Sequence, residues 1–356
     1  MHEPTILLQR NINDMLPEAL LLLRRRGVRE SSRAGNVIVA PGPVISTYTR
    51  PCERVLFSKE RDANPFFHFF ESLWMLAGRD DVFFLEYFNS RIGEFSDDGE
   101  TLNGAYGARW LHWIDGDDTI NQLEYIIGGL QRDPSSRRMV LEMWGATDLT
   151  NRSSKDLPCN THIYFDCRYG ELNMTVCNRS NDAIWGAYGA NVVHFSVLQE
   201  YIAAAVKVPV GHYHQFSNNL HIYTDVPKYE SLMSGSFMTD NFYIEGSAQS
   251  YPLVSKKSSI KNWNTDLCRF MEYADGYIIN GEQNLTPPPY IDPFFSLVAE
   301  PMLHTWVLYK NGRKKDAITE QAPQIKASDW KLDCMSWMRR RSGDQLENEE
   351  NRNDAA

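Results

Sequence analysis

The sequence holds 356 residues, 42% hydrophobic and 23% charged, with 36 basic against 46 acidic side chains and a net charge of −10. No apolar run reaches the roughly 18 residues that a membrane span needs, and the composition excludes collagen-like and wholly disordered chains. The acidic balance disfavours a broad basic surface for a nucleic-acid polymer, yet leaves a single phosphate within reach of a few placed arginines.

The opening MHEPTILLQRNINDM has no basic stretch followed by an apolar one, so no secretory signal is expected. Six cysteines, at 52, 159, 167, 177, 268 and 334, show neither C-x-x-C nor zinc spacing. Free thiols, no metal and a cytoplasmic location (host cytoplasm if the chain is viral) are the expectation.

Within residues 1–30, NDMLPEALLLLRRR predicts a helix and a basic turn. Asn36–Ala40 is a short apolar run between Gly35 and Pro41 and predicts a strand. Asn64-Pro65 opens a helical pattern that ends at Gly78, with cap, proline and glycine where a helix wants them. Residues 119–132 predict a second helix, closed by Asp133-Pro134, and 139–144 a buried strand. THIYFDCR and ELNMTVCNR flank Tyr169-Gly170 and predict a hairpin. Residues 190–206 carry apolar side chains at helical spacing and predict a core helix. Residues 235–300 are rich in Ser, Asn, Pro and Tyr with little clear period, and 339–356 are charged and poor in apolar residues. One α/β domain over 1–338, followed by a disordered tail at 339–356, is therefore expected.

Four clusters carry chemistry. Asp156-Leu157-Pro158-Cys159-Asn160 places a cysteine at the mouth of a strand, although a lone cysteine is ordinarily a small buried hydrophobe. Asp133 to Arg138 puts two arginines on a tight turn; a solvated basic turn is the plain reading, but such a pair can fork onto phosphate oxygens. Asn178 to Asp182, followed by Gly186, Gly189 and Asn191, is either turn chemistry or a site at a strand end. His221 and Tyr223 share one face of a strand, where a satisfied core histidine is the ordinary case. Together the clusters suggest a phosphorylated, hydrogen-bonding substrate attacked by a thiolate.

These residues stand in the order of the thymidylate synthase family's motifs, which the chain resembles from about Arg33 to Tyr223. E-x-L-W-x-L-x-G appears as Glu71 to Gly78, YG-x-x-W as Tyr106 to Trp110, and DP-x-SRR as 133–138. PC appears as Pro158-Cys159, R-S-x-D as Arg179 to Asp182, and H-x-Y as His221 to Tyr223. The resemblance implies an α/β (α+β) domain whose large twisted β-sheet packs against its counterpart in a homodimer. It implies transfer of a one-carbon unit from 5,10-methylenetetrahydrofolate, a co-substrate, to C5 of a pyrimidine nucleoside monophosphate. Cys159 would add to C6 of the base. Arg179 would bind the phosphate and keep Cys159 as thiolate, with Ser180 and Arg33 adding contacts and Arg137 and Arg138 reaching the neighbouring subunit's phosphate. His221 and Tyr223 would hold the 3′-hydroxyl, Asp182 and Trp185 would meet the pterin, and Glu71 and Tyr106 would move protons through ordered water.

Within the family, members either reduce the transferred carbon to methyl or add water to it. Asn191 stands where the family reads the base, and an Asn matches O4 and N3–H of uracil; one extra residue between Asp182 and Asn191 requires that loop to be rebuilt. Asn160 replaces the usual histidine after the nucleophile, residues 91–97 lack the usual tryptophan, and the C-terminus is not a short apolar tail. Loss of that water-excluding closure favours capture by water. Hydroxymethyl transfer to dUMP is the leading expectation, in a phage-type branch of the family that serves DNA modification. Thymidylate synthase and then dCMP hydroxymethylase are the alternatives, and a non-catalytic nucleotide- or RNA-binding member is the alternative of another class.

Overall fold

Alternating burial along the strands organises the first part of the chain. The structure, a computed structural model, describes residues 3–151, 153–280 and 285–342. The chain divides into two compact units, Met1–Arg61 with Phe67–Asn241, and Asp62–Phe66 with Phe242–Ala356.

The first unit runs β1 (Thr5–Gln9), α1 (Ile12–Arg26), β2 (Val28–Ser32), β3 (Gly35–Val39) and β4 (Val44–Tyr48). Helix α2 (Pro65–Leu76) enters it at Phe67, followed by α3 (Val82–Phe88), α4 (Tyr106–Leu111), the small pair β5 (Trp113–Asp115) and β6 (Asp118–Ile120), and α5 (Gln122–Arg132). Then come β7 (Val140–Glu142), β8 (Asn160–Asp166), β9 (Leu172–Asn178), β10 (Asn181–Asp182), α6 (Asn191–Val206), β11 (Val210–Ser217), β12 (Leu220–Tyr223) and α7 (Tyr229–Leu232). Asn11 caps α1 by accepting from the N–H groups of Asn13 and Asp14, which satisfies donors that a helix start leaves orphaned.

Six strands form one mixed sheet in the order β1-β4-β11-β9-β8-β7, and four form a second in the order β10-β12-β3-β2. On one face of the six-stranded sheet Ser46, Tyr48, Tyr213, Gln215, Met174, Val176, Ile163 and Phe165 are buried, and α6 packs against β9 and β11 there. The alternate residues point the other way, as period two requires. Ile6 and Leu8 are exposed on that face, Ile45, Phe216, Thr175 and Cys177 are half-buried, and Tyr164 is 46% exposed.

The expected hairpin is β8–β9, with Tyr169 and Gly170 both at positive φ. The helix expected at 119–132 starts at Gln122, because residues 118–120 pair as a strand. The strand expected at 139–144 is shorter and has one buried residue within it, Leu141, at a sheet edge.

The second unit is helical: α8 (Phe242–Glu245), α9 (Ile260–Asn280), α10 (Glu300–Lys310), α11 (Lys314–Asp316) and α12 (Ser328–Ser342). Helix α9 crosses a region where no period was expected. Trp263, Leu267, Phe270, Met271 and Ala274 form its buried stripe, at the spacing of one helix face. Buried Asp266 accepts from the N–H groups of Ile291 and Asp292, both at 2.7 Å. Residues 339–342, expected within the tail, are helical: Arg339, Arg340 and Arg341 occupy the last turn of α12, and Arg340 and Arg341 pair with Asp62. The rest of it, 343–356, lies outside the described residues. Among the described residues no helix is long and apolar enough to cross a membrane.

Candidate active site

Cys159 ends the loop that leads into β8, and its surroundings fix that loop from three sides. Asp156 accepts the N–H of Gly104 at 2.7 Å, and Asn103 donates to the Asp156 carbonyl at 2.9 Å. Arg109 makes a two-pronged pair with Asp148, at 2.7 and 2.9 Å, and donates to the Met143 carbonyl at 2.7 Å. Arg179 donates from its main chain to the Cys159 carbonyl at 3.0 Å. Its guanidinium donates to the carbonyls of Pro158 and Leu157, at 2.9 and 3.2 Å, and lies over the Trp144 ring at 5.0 Å. The nucleophile candidate's loop and the cation are thus tied together by three hydrogen bonds.

Electrostatics at Cys159 oppose one another. Burial raises its thiol, Arg179 pulls it down, and Asp156 and Asp182 push it up. The expectation that Arg179 favours thiolate has the right sign, but burial outweighs it. Burial also raises the Tyr106 phenol, and the charges of Cys159 and Asp156 add to this. The main-chain N–H groups of Asn160 and Cys159 act the other way on its hydroxyl. Tyr106 is held on α4, where a Cβ on the neighbouring Gly107 would sit 2.1 Å from the Met75 carbonyl oxygen. Only glycine lets α4 rest on the end of α2, the helix that carries Glu71.

Asn160 is wholly buried; it donates to the Asn178 side chain, which donates onward to the Phe216 carbonyl at 2.8 Å. Asn160 Oδ1 has no partner. Asp182 caps the next turn through Oδ1, which accepts from Ile184 and Trp185 at 2.9 and 2.5 Å, while its buried Oδ2 has no partner. Burial raises the Asp182 carboxyl against the pull of the Trp185 N–H and of His221. Trp185 is 51% exposed, with the Arg61 guanidinium 4.6 Å over its ring.

The stretch before Asn191, where one extra residue was expected, forms a π-helical turn over Ala183–Ala190, in which Tyr188 and Gly189 leave helical angles. Such π-helical turns recur at functional sites. The turn is pinned to the sheet by Gln215, which donates to the Ala187 carbonyl at 3.1 Å, and by a Ser46–Tyr188 hydroxyl contact at 2.9 Å. Asn191 opens α6 and donates to Asn181 at 3.1 Å, and Asn181 donates to Ser217 at 2.9 Å.

Strand pairing sets Asp182 opposite His221, and His221 and Tyr223 stack edge to face at 5.2 Å. His221 Nδ1 meets Asn219 at 2.9 Å. Tyr223 is raised by burial and then by Asp182, while Ser32 and Arg33 lower it and Cys159 raises it. The strands therefore gather Cys159, Arg179, Asp182, Tyr223 and Arg33, the last on the exposed turn between β2 and β3. Ser180 follows Arg179 directly, between β9 and β10.

Arg137 and Arg138 are not brought to this place. They precede β7, whose Val140 pairs with Tyr164 near the far end of β8, and Cys159 stands at the near end. Seven residues of strand separate the two ends, roughly 20 Å at about 3.3 Å each. Both arginines are exposed.

Trp144 under Arg179, Arg61 over Trp185 and His194 against Glu71 were not anticipated. A tryptophan after a strand, an arginine in a loop and a histidine inside an apolar helix carry no local signal of these partners. Concavity would have misled as well: a cleft of about 890 Å³, lined by Asp97, Asn103, Arg109 and Trp113 among others, includes neither Cys159 nor Asp182. Among the described residues no group of three or more His, Cys, Asp or Glu could hold a metal ion.

Residues 62–266, more than half of the chain, match the family model described as thymidylate synthase. The chain is 44% identical over 345 residues to a deoxyuridylate hydroxymethyltransferase of Pseudomonas phage M6, covering 93% of each sequence. A deoxyuridylate hydroxymethyltransferase of Bacillus phage SP01 is 40% identical over 190 residues, 51% of this chain and 50% of that protein. A thymidylate synthase of Vesicomyosocius okutanii is 28% identical over 158 residues, 44% of this chain and 59% of that one.

Proposed function

The chain belongs to the thymidylate synthase family, and on that premise we propose that it transfers a one-carbon unit to C5 of dUMP and releases 5-hydroxymethyl-dUMP. The observation that carries this reading is the match to a phage deoxyuridylate hydroxymethyltransferase across 93% of both chains. Cys159, Arg179, Asp182 and Asn191 supply the chemistry it needs.

Cys159 Sγ adds to C6 of the base, which makes C5 nucleophilic and splits one hard step into easier ones. Arg179 and Ser180 take the phosphate, with Arg33 from the neighbouring turn. Asn191 presents an amide donor and acceptor to O4 and N3–H of uracil. His221 and Tyr223 take the 3′-hydroxyl. Methylenetetrahydrofolate, which enzymes of this family use, supplies the one-carbon unit when bound. The unpartnered Asp182 oxygen beside the exposed Trp185 ring suits a flat ring bearing N–H groups. Glu71 and Tyr106 handle protons.

The active form is a homodimer. The outward face of the six-stranded sheet, with Ile6, Leu8 and Tyr164 exposed, supports pairing with a second copy. So does the distance of Arg137 and Arg138 from Cys159, which suits arginines that serve the phosphate of the partner's site.

Exchange of the C5 hydrogen of dUMP tests the nucleophile. Exchange by the wild type, abolished in Cys159→Ser, is expected; a silent wild type would move the chain to the binding class.

A further inference from the structure

His194 and Glu71 form a buried pair beside the candidate site; Glu71 opens a family motif, whereas His194 belongs to none. Glu71 lies on α2 and His194 on α6, three residues after Asn191, so Asn191 and His194 share one side of that helix. His194 Nε2 stands 2.8 Å from Glu71 Oε2, with side-chain exposures of 2% and 14%. The pair is close but not aligned as a hydrogen bond, and both His194 nitrogens and Glu71 Oε2 remain without one. Three unsatisfied buried polar atoms side by side are costly unless a small polar molecule serves them. Around the pair, burial pushes the His68 imidazole well below its ordinary value, and Arg61 and His194 act in the same direction. On the other side, Glu71 acts on Asp156, which acts on Cys159. The pair is thus within electrostatic reach of His68 and of the nucleophile's loop.

We propose that His194 is the positioning residue of Glu71, holding its carboxylate to accept the proton of the water that completes hydroxymethyl transfer. This rests on the functional reading above. In that step the water oxygen bonds to the exocyclic methylene carbon on C5, and one water proton passes to Glu71. The methylene π pair moves toward the C4 carbonyl. Its return restores the C5–C6 double bond and expels Cys159 Sγ from C6 as thiolate. The chain carries Asn160 where the family usually has a histidine, and here a histidine reaches Glu71 from α6 instead.

The test follows dUMP tritiated at C5, with methylenetetrahydrofolate, through two readouts from pH 6 to 9: tritium release, and hydroxymethylated product by mass spectrometry. After subtraction of the exchange that each enzyme shows without folate, the wild type should release one tritium per product. His194→Gln should form product at least ~10-fold more slowly, less than the roughly 100-fold or more that a positioned base contributes, because Glu71 itself remains. Its tritium release should exceed product, because uncaptured adducts revert, and the acid limb of its product rate should move to higher pH. A folded His194→Gln enzyme with a ratio of one and an unmoved limb overturns the proposal. Nitrogen-15 NMR of the wild-type imidazole needs no variant: a proton on His194 Nε2, facing Glu71, is expected, and a bare Nε2 overturns it. A wild type that makes no hydroxymethylated dUMP defeats the functional reading itself, before any variant is compared.

Discussion

Arg179 donates its main-chain N–H to the carbonyl of Cys159 at 3.0 Å and its guanidinium to the two residues before it. The cation that would bind phosphate is therefore also the brace of the nucleophile's loop. One substitution should disturb both.

The thiol of Cys159 is raised by burial and lowered by Arg179. Its alkylation rate should accordingly climb with pH through and beyond the ordinary thiol range. In Arg179→Ala the lowering charge is gone, so the curve should move to higher pH, with about tenfold less thiolate at pH 8 for every pH unit that the curve moves. An iodoacetamide profile that does not move would mean that Arg179 acts on phosphate alone.

Arg137 and Arg138 stand at the wrong end of β8 to serve Cys159 of their own chain. Cys159→Ser and the double variant Arg137→Ala/Arg138→Ala should each be nearly inactive. Mixed and allowed to exchange subunits, they should recover roughly a quarter of wild-type activity, because half of the dimers then hold one intact site under random pairing. No recovery, with exchange verified, would place these arginines outside the partner's site.

How far the sequence carried this picture depended on the range of the physics involved. Asn64, Pro65 and Gly78 mark a helix by local chemistry, and Tyr169-Gly170 marks a hairpin. The motif residues from Arg33 to Tyr223 pointed to a candidate site because their order is itself the signal. Helix α9 was missed because Lys261, Asn262, Asn264 and Asp266 dilute the average over a window whose buried stripe is regular. The partners of Arg179, Trp185 and Glu71 were missed because Trp144, Arg61 and His194 reach them only through tertiary packing. Nor does any local signal group Asp62–Phe66 with the residues from Phe242 onward, about 180 positions later.

Base choice should reside in Asn191. Asn191→Asp presents acceptors where uracil offers O4, which leaves buried groups unpaired, whereas a carboxyl group suits N3 and the amino group of cytosine. The ratio of kcat/KM for dUMP over dCMP should fall by at least ~100-fold. A ratio that holds would mean that the π-helical turn aims Asn191 away from the base.

Stability should respond to Asp333, buried in α12 and pushed up to about 7 by burial, with Asp62 and Asp329 adding to the effect and Arg340 and Arg341 opposing it. Its folded pKa lies above the unfolded value, so the folded state binds the extra proton. Stability is then lost as pH rises from about 4 to about 7 and is flat beyond. Asp333→Asn should raise Tm at pH 8, by a ΔΔG on the order of 1 kcal/mol for every pH unit separating the folded and unfolded titrations, and leave it unchanged near pH 3. Equal Tm for both proteins at pH 8 would show that the arginines already neutralise the site.

The central claim is the identity of the product. Purified enzyme should be given dUMP, and separately dCMP, with methylenetetrahydrofolate, the nucleotide weighed by mass spectrometry and dihydrofolate followed by its absorbance. 5-Hydroxymethyl-dUMP without dihydrofolate is the predicted result. Methylated dUMP with stoichiometric dihydrofolate, or turnover of dCMP alone, would contradict it.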